Sequence, residues 1–161
     1  SSTQIALAAL TKVADLDVMG VPYKGTPLAV QDLLAGNVDF TFADLGTILG
    51  HVRAGTLRGL AITTPRRSPM VDWPPIAESF PAYDDVTGWI ALAGPVGLPR
   101  EIAEKLSRAV QQALQSAEVR NRLATFGLSP MPMTPDQMRA FIPAEVAKWG
   151  RLARAANIQP E

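Results

Sequence analysis

The chain has 161 residues, of which 47% are hydrophobic and 19% are charged, enough for one ordinary hydrophobic core or two small lobes. Its 15 basic and 15 acidic residues balance, so the charge gives no indication of a nucleic acid or another polyanion as partner. Cysteine is absent, which excludes disulfides and cysteine-ligated zinc, and no apolar run reaches the ~18 residues that a membrane-spanning helix needs.

The first part of the chain alternates the hydrophobic patterns of helices and strands. Gly36 and Gly55 follow two of the helical patterns and suit the left-handed turn past a helix end. Short turns join strands that are hydrophobic on both faces, which favours an α/β fold with a parallel sheet flanked by helices. The predicted order is a helix ending near Ala14, a strand over 16–23, a helix over 28–35, a strand over 38–42, a helix ending at Arg53 and a strand over 57–63.

The second part begins with a proline-rich connection over residues 65–81, which includes one helical turn near 76–79. The apolar residues beyond it return first to a strand pattern and then to helical spacing. The predicted elements are a strand over 86–93, a long amphipathic helix from Pro99, a short helix near 119–124 and a last helix after Thr134.

The start of that last helix carries a strong local signal. Thr134 is placed as its N-cap, Pro135 as its first residue and Gln137 as the partner that completes a capping box. Pro143 lies inside the helix and removes one backbone hydrogen bond, so we expect a kink or a broken start there.

The turn over residues 21–27 is the first candidate site. Thr26 is predicted to cap the helix that follows, and Pro27 suits its first position because its missing N–H has no helical partner anyway. Free backbone N–H groups and the cation of Lys24 would then lie together at the helix entrance, a small anion site. The alternative is a plain turn, since most strand–turn–helix joints bind nothing.

A second turn at the same predicted sheet edge contributes Asp44. Ligands of open parallel sheets bind outside the carboxyl ends of the strands, which here carry hydroxyls, amides and the lysine. Asp44 is equally well explained as a helix cap or as a ligand contact. Such a set of donors, with no nucleophile–base pair, suits holding a small carboxylate better than transforming it.

Catalytic and metal chemistry find little support elsewhere in the sequence. His51 is the single histidine and is interpreted as a surface residue, because a triad or a histidine-ligated metal would need partners that the sequence lacks. Asp84 and Asp85 lie in the proline-rich connection and are better explained as a solvated loop than as paired catalytic carboxylates. No glycine-rich phosphate loop occurs. We therefore predict no catalytic residue, no metal site and no cofactor.

Several stretches taken together resemble a known family. The sequence Val-Pro-Tyr-Lys-Gly at 21–25, followed by residues 32–39, is similar to the central signature of the Bug family, the TctC-like solute receptors of tripartite tricarboxylate transporters. The resemblance covers nearly the whole chain in the right order. It continues through residues 51–61, Trp89, residues 93–99, Thr134-Pro135, Glu145 and Trp149-Gly150.

The resemblance implies a type II periplasmic binding protein of two lobes that captures a small organic anion, a carboxylate, and passes it to membrane permease subunits. It implies a periplasmic location, with a signal peptide upstream of this chain. Residues 1–85 would form the second α/β lobe, 86–98 the return crossover and hinge, and 99–161 the C-terminal helical part of a first lobe that is mostly lacking. The implied ligand-binding residues are Ser1, Ser2, Gly25, Thr26, Asp44 and Leu45, with Lys24 adding positive potential.

Two expectations accompany this assignment. The apolar faces of the helices after Pro99 lack their usual sheet, so we expect them to pack back onto residues 1–93, to pair with a second copy, or to hold a retained N-terminal fragment. The alternative function is the ligand-sensing effector domain of a transcription regulator, which shares the type II fold. A small α/β enzyme is a third and weaker possibility.

Overall fold

The structure, a computed structural model, describes residues 2–158, and within them seven helices are joined by non-helical chain. Every helix expected from the sequence is present, including the single turn within the proline-rich connection. No described helix combines the length and the apolarity that a membrane span requires. The helices are α1 (Ser2–Ala14), α2 (Thr26–Leu34), α3 (Leu45–Arg53), α4 (Ile76–Ser79), α5 (Arg100–Ala113), α6 (Ala117–Thr125) and α7 (Pro135–Ala155).

The predicted helix ends at Gly36 and Gly55 are confirmed by their backbone hydrogen bonds. After α2, Gly36 adopts φ +76°, its N–H donates to the Leu33 carbonyl at 3.1 Å, and the Asn37 N–H donates to the Asp32 carbonyl at 2.9 Å. This Schellman arrangement satisfies carbonyls that would otherwise have no partner, and it needs a residue that tolerates positive φ. Gly55, with φ +72°, ends α3 in the same way.

The capping box of α7 is also confirmed. The Gln137 N–H donates to Thr134 Oγ1 at 3.2 Å, and the Thr134 N–H donates to Gln137 Oε1 at 2.8 Å. The helix then runs as one element of 21 residues through Pro143. The broken start is therefore wrong, because one missing backbone bond is outweighed by the bonds on both sides of it; the kink stays a prediction.

The four segments predicted as strands are present as non-helical chain, but none is a strand within residues 2–158. In the described chain, β-type pairing is limited to one parallel bridge between Ile62 and Pro75. There the Ile62 N–H donates to the Pro74 carbonyl at 3.0 Å. The parallel sheet is thus not confirmed. A hydrophobic pattern identifies a segment that is able to form a strand. The strand itself forms only when a neighbouring segment supplies its backbone hydrogen bonds.

The chain separates into two compact units, and the first extends to Gly88 and includes the terminal stretch from Ala155. Its buried side chains lie on α1, α2, α4 and the segment after α4, where the Tyr83 hydroxyl donates to the Ala6 carbonyl at 3.4 Å. Burial raises the pKa of Tyr83, so its phenol stays protonated. The buried residues of this unit are Ile5, Ala6, Ala29, Val30, Pro75, Ile76, Tyr83 and Val86.

The second unit, Trp89–Arg154, contains α5, α6 and nearly all of α7. One side of α5 is held by hydrogen bonds, since Ser107 Oγ donates to the Met133 carbonyl at 3.3 Å. Its apolar stripe is different, because Ile102, Leu106 and Val110 remain 40–47% exposed. Packing of this stripe onto residues 1–93, pairing with a second copy and covering by a retained N-terminal fragment all stay predictions.

Candidate functional site

The candidate site lies where the N-termini of α2 and α3 approach each other. Thr26 is the first residue of α2 and Asp44 immediately precedes α3, 18 positions later. Thr26 Oγ1 donates to Asp44 Oδ2 at 3.3 Å, in an exposed position. This is long for an O–H···O hydrogen bond. Two of the predicted site residues are thus brought together.

The local start of α2 differs from the sequence-based expectation. Gly25, not Thr26, occupies the N-cap position, with φ +136° and no side-chain cap bond. Because L side chains rarely adopt that φ, glycine is required at this turn. The prediction that Thr26 caps its own helix is therefore wrong. Its hydroxyl, being inside the first turn, reaches across to Asp44 instead.

Asp44 is the N-cap residue of α3, as predicted, but its carboxylate does not cap the helix. Its backbone is extended, its carbonyl accepts the Thr47 N–H at 2.9 Å, and its side chain makes no cap hydrogen bond. The carboxylate, which is exposed, is bonded by Thr26. Of the two interpretations drawn from the sequence, capping by the Asp44 side chain is thus not observed. The other interpretation, contact with a ligand, stays a prediction for this exposed carboxylate. Leu45, the first residue of α3, is half-buried behind it.

Lys24 and Ser2 are two further predicted site residues, and they take no part in the contact between Thr26 and Asp44. Lys24 is exposed and adjoins Gly25, so its ammonium adds positive charge beside the turn. Ser2 begins α1 and is exposed. Within the described chain, neither makes a hydrogen bond or ion pair with Thr26 or Asp44. Ser1 lies outside the described residues. The complete set of ligand contacts therefore stays a prediction.

Sequence reasoning missed a hydrogen-bonded group beside this turn. Tyr23 Oη donates to Asp32 Oδ2 at 2.7 Å, and Asn37 Nδ2 donates to Asp32 Oδ1 at 3.1 Å. The bond to Asp32 raises the pKa of Tyr23, and the bonds from Tyr23 and Asn37 lower the pKa of Asp32. All three residues belong to the stretches that carry the family resemblance, but a separation of nine residues gives no periodic signal for pairing the first two.

A second missed group lies in the second unit around Glu145, which is buried. Its Oε2 accepts the indole N–H groups of Trp89 at 2.9 Å and Trp149 at 3.1 Å, and its Oε1 pairs with Lys148 Nζ at 2.8 Å. The Trp89 ring also meets Phe141 edge-on, with 5.4 Å between ring centroids. Burial pushes the pKa of Glu145 up, but the surrounding donors outweigh burial and the net shift is downward.

Other concave or titratable features do not coincide with the candidate site. A cavity of about 470 Å³ lies in the second unit, and none of the predicted site residues lines it. The Nδ1 atom of His51 lies 3.5 Å from the hydroxyl oxygen of Thr56. Among residues 2–158 no group of three or more histidine, aspartate or glutamate residues is arranged to hold a metal ion. The cavity is lined by Gln111, Leu114, Gln115, Arg120, Pro130 and Pro132.

The sequence resembles a characterised family over almost all of its length. Residues 1–158 match the family described as Tripartite tricarboxylate transporter family receptor. Among the relatives, protein BugT of Bordetella pertussis is 38% identical over 138 residues, which are 83% of this chain and 41% of BugT. The UPF0065 protein in the tcbD-tcbE intergenic region of Pseudomonas sp. strain P51 is 28% identical over 155 residues, 94% of this chain and 46% of that protein. The chain therefore spans about half the length of these relatives.

Solved structures show the same likeness in three dimensions. R. palustris Rpa4515 with adipate aligns with a TM-score of 0.87 and 31% identity, over 100% of this chain and 54% of that one. MatC (Rpa3494) from Rhodopseudomonas palustris with bound malate aligns with a TM-score of 0.66 and 26% identity, over 98% and 53%. The periplasmic binding protein BugD, at 22% identity and a TM-score of 0.77 over 100% and 55%, supports the fold alone.

Proposed function

This chain belongs to the tripartite tricarboxylate transporter receptor family, whose members are periplasmic solute-binding receptors and not enzymes, and we propose that it captures a small organic carboxylate for such a transporter. The ligand would be held and released unchanged, then passed to membrane permease subunits. The periplasm is the proposed location, with a signal peptide preceding Ser1 in the full-length receptor. Family membership favours this function over the effector domain of a transcription regulator.

The observation that carries the proposal is the contact between Thr26 and Asp44, which joins two helix N-termini at one exposed spot. Helix N-termini present unpaired N–H groups and a partial positive charge, which favour an anionic ligand. Lys24 adds a full positive charge to the same turn. The similar solved structures with adipate and with bound malate supply the ligand class, because both compounds are dicarboxylates.

Each predicted site residue has a role in this proposal. Thr26 donates its hydroxyl to the ligand carboxylate, and Lys24 attracts it. Asp44 then loses the single Thr26 hydroxyl proton and accepts a hydrogen bond from a ligand donor instead. The remaining contacts come from backbone or hydroxyl groups of Ser1, Ser2, Gly25 and Leu45.

We also propose how this chain is divided between the two lobes of the full-length receptor. In a receptor as long as the relatives, the four extended segments form strands of a parallel type II sheet, with residues 1–85 in the second lobe, 86–98 as crossover and 99–161 in the first lobe. The predicted strand over 86–93 supports this architecture, because its apolar side chains are exposed: Ile90 is 81% exposed and Leu92 is 72% exposed. Closure would hinge within residues 87–92.

The direct test is ligand binding by calorimetry with adipate and malate as probes. We expect either probe to bind the unmodified protein, and Thr26→Val to weaken that binding roughly tenfold or more, because a hydrogen bond to a charged group is lost. Lys24→Gln should weaken binding most at low ionic strength, since its contribution is electrostatic and screened by salt.

Thr125→Val is the matched control, because Thr125 is also a helical threonine, is exposed, and bonds only its own helix at the Arg122 carbonyl. It should leave both affinities unchanged. Adipamide, the uncharged analogue of adipate, should not compete. If dicarboxylates and their diamides bound equally, or if neither bound, the proposed carboxylate receptor would be abandoned.

A further inference from the structure

Asp32 occupies a position where a carboxylate is unfavourable unless it has partners. It lies in the last turn of α2, next to the negative end of the helix dipole, and the last turn of this helix contains no basic residue. Both of its carboxylate oxygens are nevertheless bonded, one by Tyr23 and one by Asn37. The Asn37 N–H also bonds the Asp32 carbonyl at 2.9 Å. These bonds offset the unfavourable position and hold the carboxylate in one orientation.

We infer that Asp32 is a positioning residue, which anchors the Tyr23 hydroxyl and thereby fixes the turn of residues 24–26 at the candidate site. The bond from Tyr23 to Asp32 closes a ring of chain that contains Lys24, Gly25 and Thr26. Tyr23 therefore ties the start of this turn, and α2 itself ties its end. The inference deepens the proposed function, on which its relevance to binding rests.

The turn needs such an anchor because of Gly25. Glycine loses more conformational freedom on folding than any other residue, and here it must keep φ +136°. Without a fixed point on its N-terminal side, Lys24 and Thr26 would have to be ordered at the moment of ligand binding. Ordering them in advance makes binding tighter without adding any contact to the ligand.

The hydrogen bond is suited to this role by its length and charge. At 2.7 Å between Tyr23 Oη and Asp32 Oδ2 it is short, and a charged acceptor makes it stronger than a neutral pair. The raised pKa of Tyr23 and the lowered pKa of Asp32 are both what such a bond produces. Asn37 holds the other carboxylate oxygen, so the acceptor is itself fixed.

The experiment compares Tyr23→Phe, Asp32→Ala and the double variant with the unmodified protein, using backbone ¹⁵N relaxation. We expect the order parameters of Lys24 and Gly25 to fall in either single variant, from about 0.85 toward 0.6, and those of α3 to stay constant. The double variant should be no more mobile than either single variant, because both remove the same bond. Asp39→Ala is the matched control, because Asp39 is an exposed aspartate in the chain between α2 and α3.

A second measurement follows Tyr23 itself, by NMR of tyrosine labelled at Cζ. The chain has two tyrosines, and the pKa of the other, Tyr83, is raised by burial rather than by Asp32, so it is an internal control. Asp32→Ala should lower the pKa of Tyr23 and leave Tyr83 unchanged. Unchanged order parameters at Lys24 and Gly25 in both single variants would overturn the inference.

Failure of the anchor and failure of the proposed function are distinguishable in this design. The relaxation measurement needs no ligand, so it decides the anchor alone. Adipate binding by the unmodified protein decides the function alone. If both hold, Tyr23→Phe should weaken adipate binding severalfold, although Tyr23 would not touch the ligand; an unchanged affinity would overturn the role of the anchor in binding.

Discussion

At the scale of the residue, Glu145 is a charge in a place that normally excludes charge. Burial of an unpaired carboxylate is strongly unfavourable. A carboxylate is therefore stable in a buried position only where hydrogen-bond donors of the protein replace water. Here two indole N–H groups and one ammonium do so. Trp89 precedes α5 and Trp149 lies on α7, so one carboxylate connects distant parts of the second unit.

We predict that Glu145→Gln lowers the free energy of unfolding by ~1.5–3 kcal/mol, measured by urea denaturation. The amide has one oxygen to accept hydrogen bonds, and its NH₂ group cannot accept from an indole or pair with Lys148. Glu118→Gln is the control, because Glu118 is an exposed glutamate of α6. Equal effects of the two substitutions would contradict a structural role for the buried carboxylate.

The same residue predicts a pH dependence of stability. Because the folded state lowers the pKa of Glu145, its ionised form stabilises the fold above the ordinary glutamate pKa of about 4.3, and this contribution is lost as the pH falls through the lowered pKa. The difference in unfolding free energy between the unmodified protein and Glu145→Gln should therefore be largest at about pH 6–7 and shrink on acidification below about pH 4. A difference independent of pH would show that charge is not the cause.

At the scale of the element, the helices are specified by their own ends. The first turn of α7 has reciprocal bonds between Thr134 and Gln137, and α2 ends in a Schellman arrangement at Gly36. These signals involve residues at most five positions apart, so the local sequence contains all of the information that they need.

We predict that Thr134→Ala destabilises the protein by ~1 kcal/mol, because an orphan N–H of the first turn loses its side-chain acceptor. Ser116→Ala is a matched control. Ser116 is the N-cap residue of α6, but its side chain makes no cap hydrogen bond, so its removal should have a smaller effect. Chemical denaturation of both variants measures the difference, and a larger loss for Ser116→Ala would contradict the cap assignment.

At the scale of the whole molecule, the apolar stripe of α5 is a partly exposed apolar surface of the described chain. Ile102, Leu106 and Val110 follow one another at four-residue spacing and are each at least 40% exposed. An apolar surface of this kind on a strongly amphipathic helix tends to associate with another surface.

We therefore predict that the chain of 161 residues self-associates at micromolar concentration or above, seen by light scattering. Leu106→Ser should shift the association to higher concentration, because it removes apolar area from the centre of the stripe. Lys105→Ser, on the neighbouring polar face, should not. A monomer at every concentration that binds no hydrophobic dye would contradict this prediction.

The sequence identified the position of every helix, because capping residues, glycines and apolar spacing act over a few residues. It also identified the residues that meet at the two helix N-termini, since Thr26 and Asp44 follow two segments of similar pattern. It did not identify the bonds that Asp32 and Glu145 accept. Those partners lie between 3 and 56 positions away in the chain, and no capping pattern or apolar spacing singles them out.

What the sequence by itself determined is thus the helices, the family and the chemical character of the turn. Tertiary structure alone decided that Thr26 bonds Asp44 instead of capping its helix, and that Glu145 joins two tryptophans. It also decided that the extended segments have no strand partners within residues 2–158. The physical reason is that a helix satisfies its backbone hydrogen bonds within itself, whereas a strand obtains them from distant chain, as Glu145 does for its bond from Trp89.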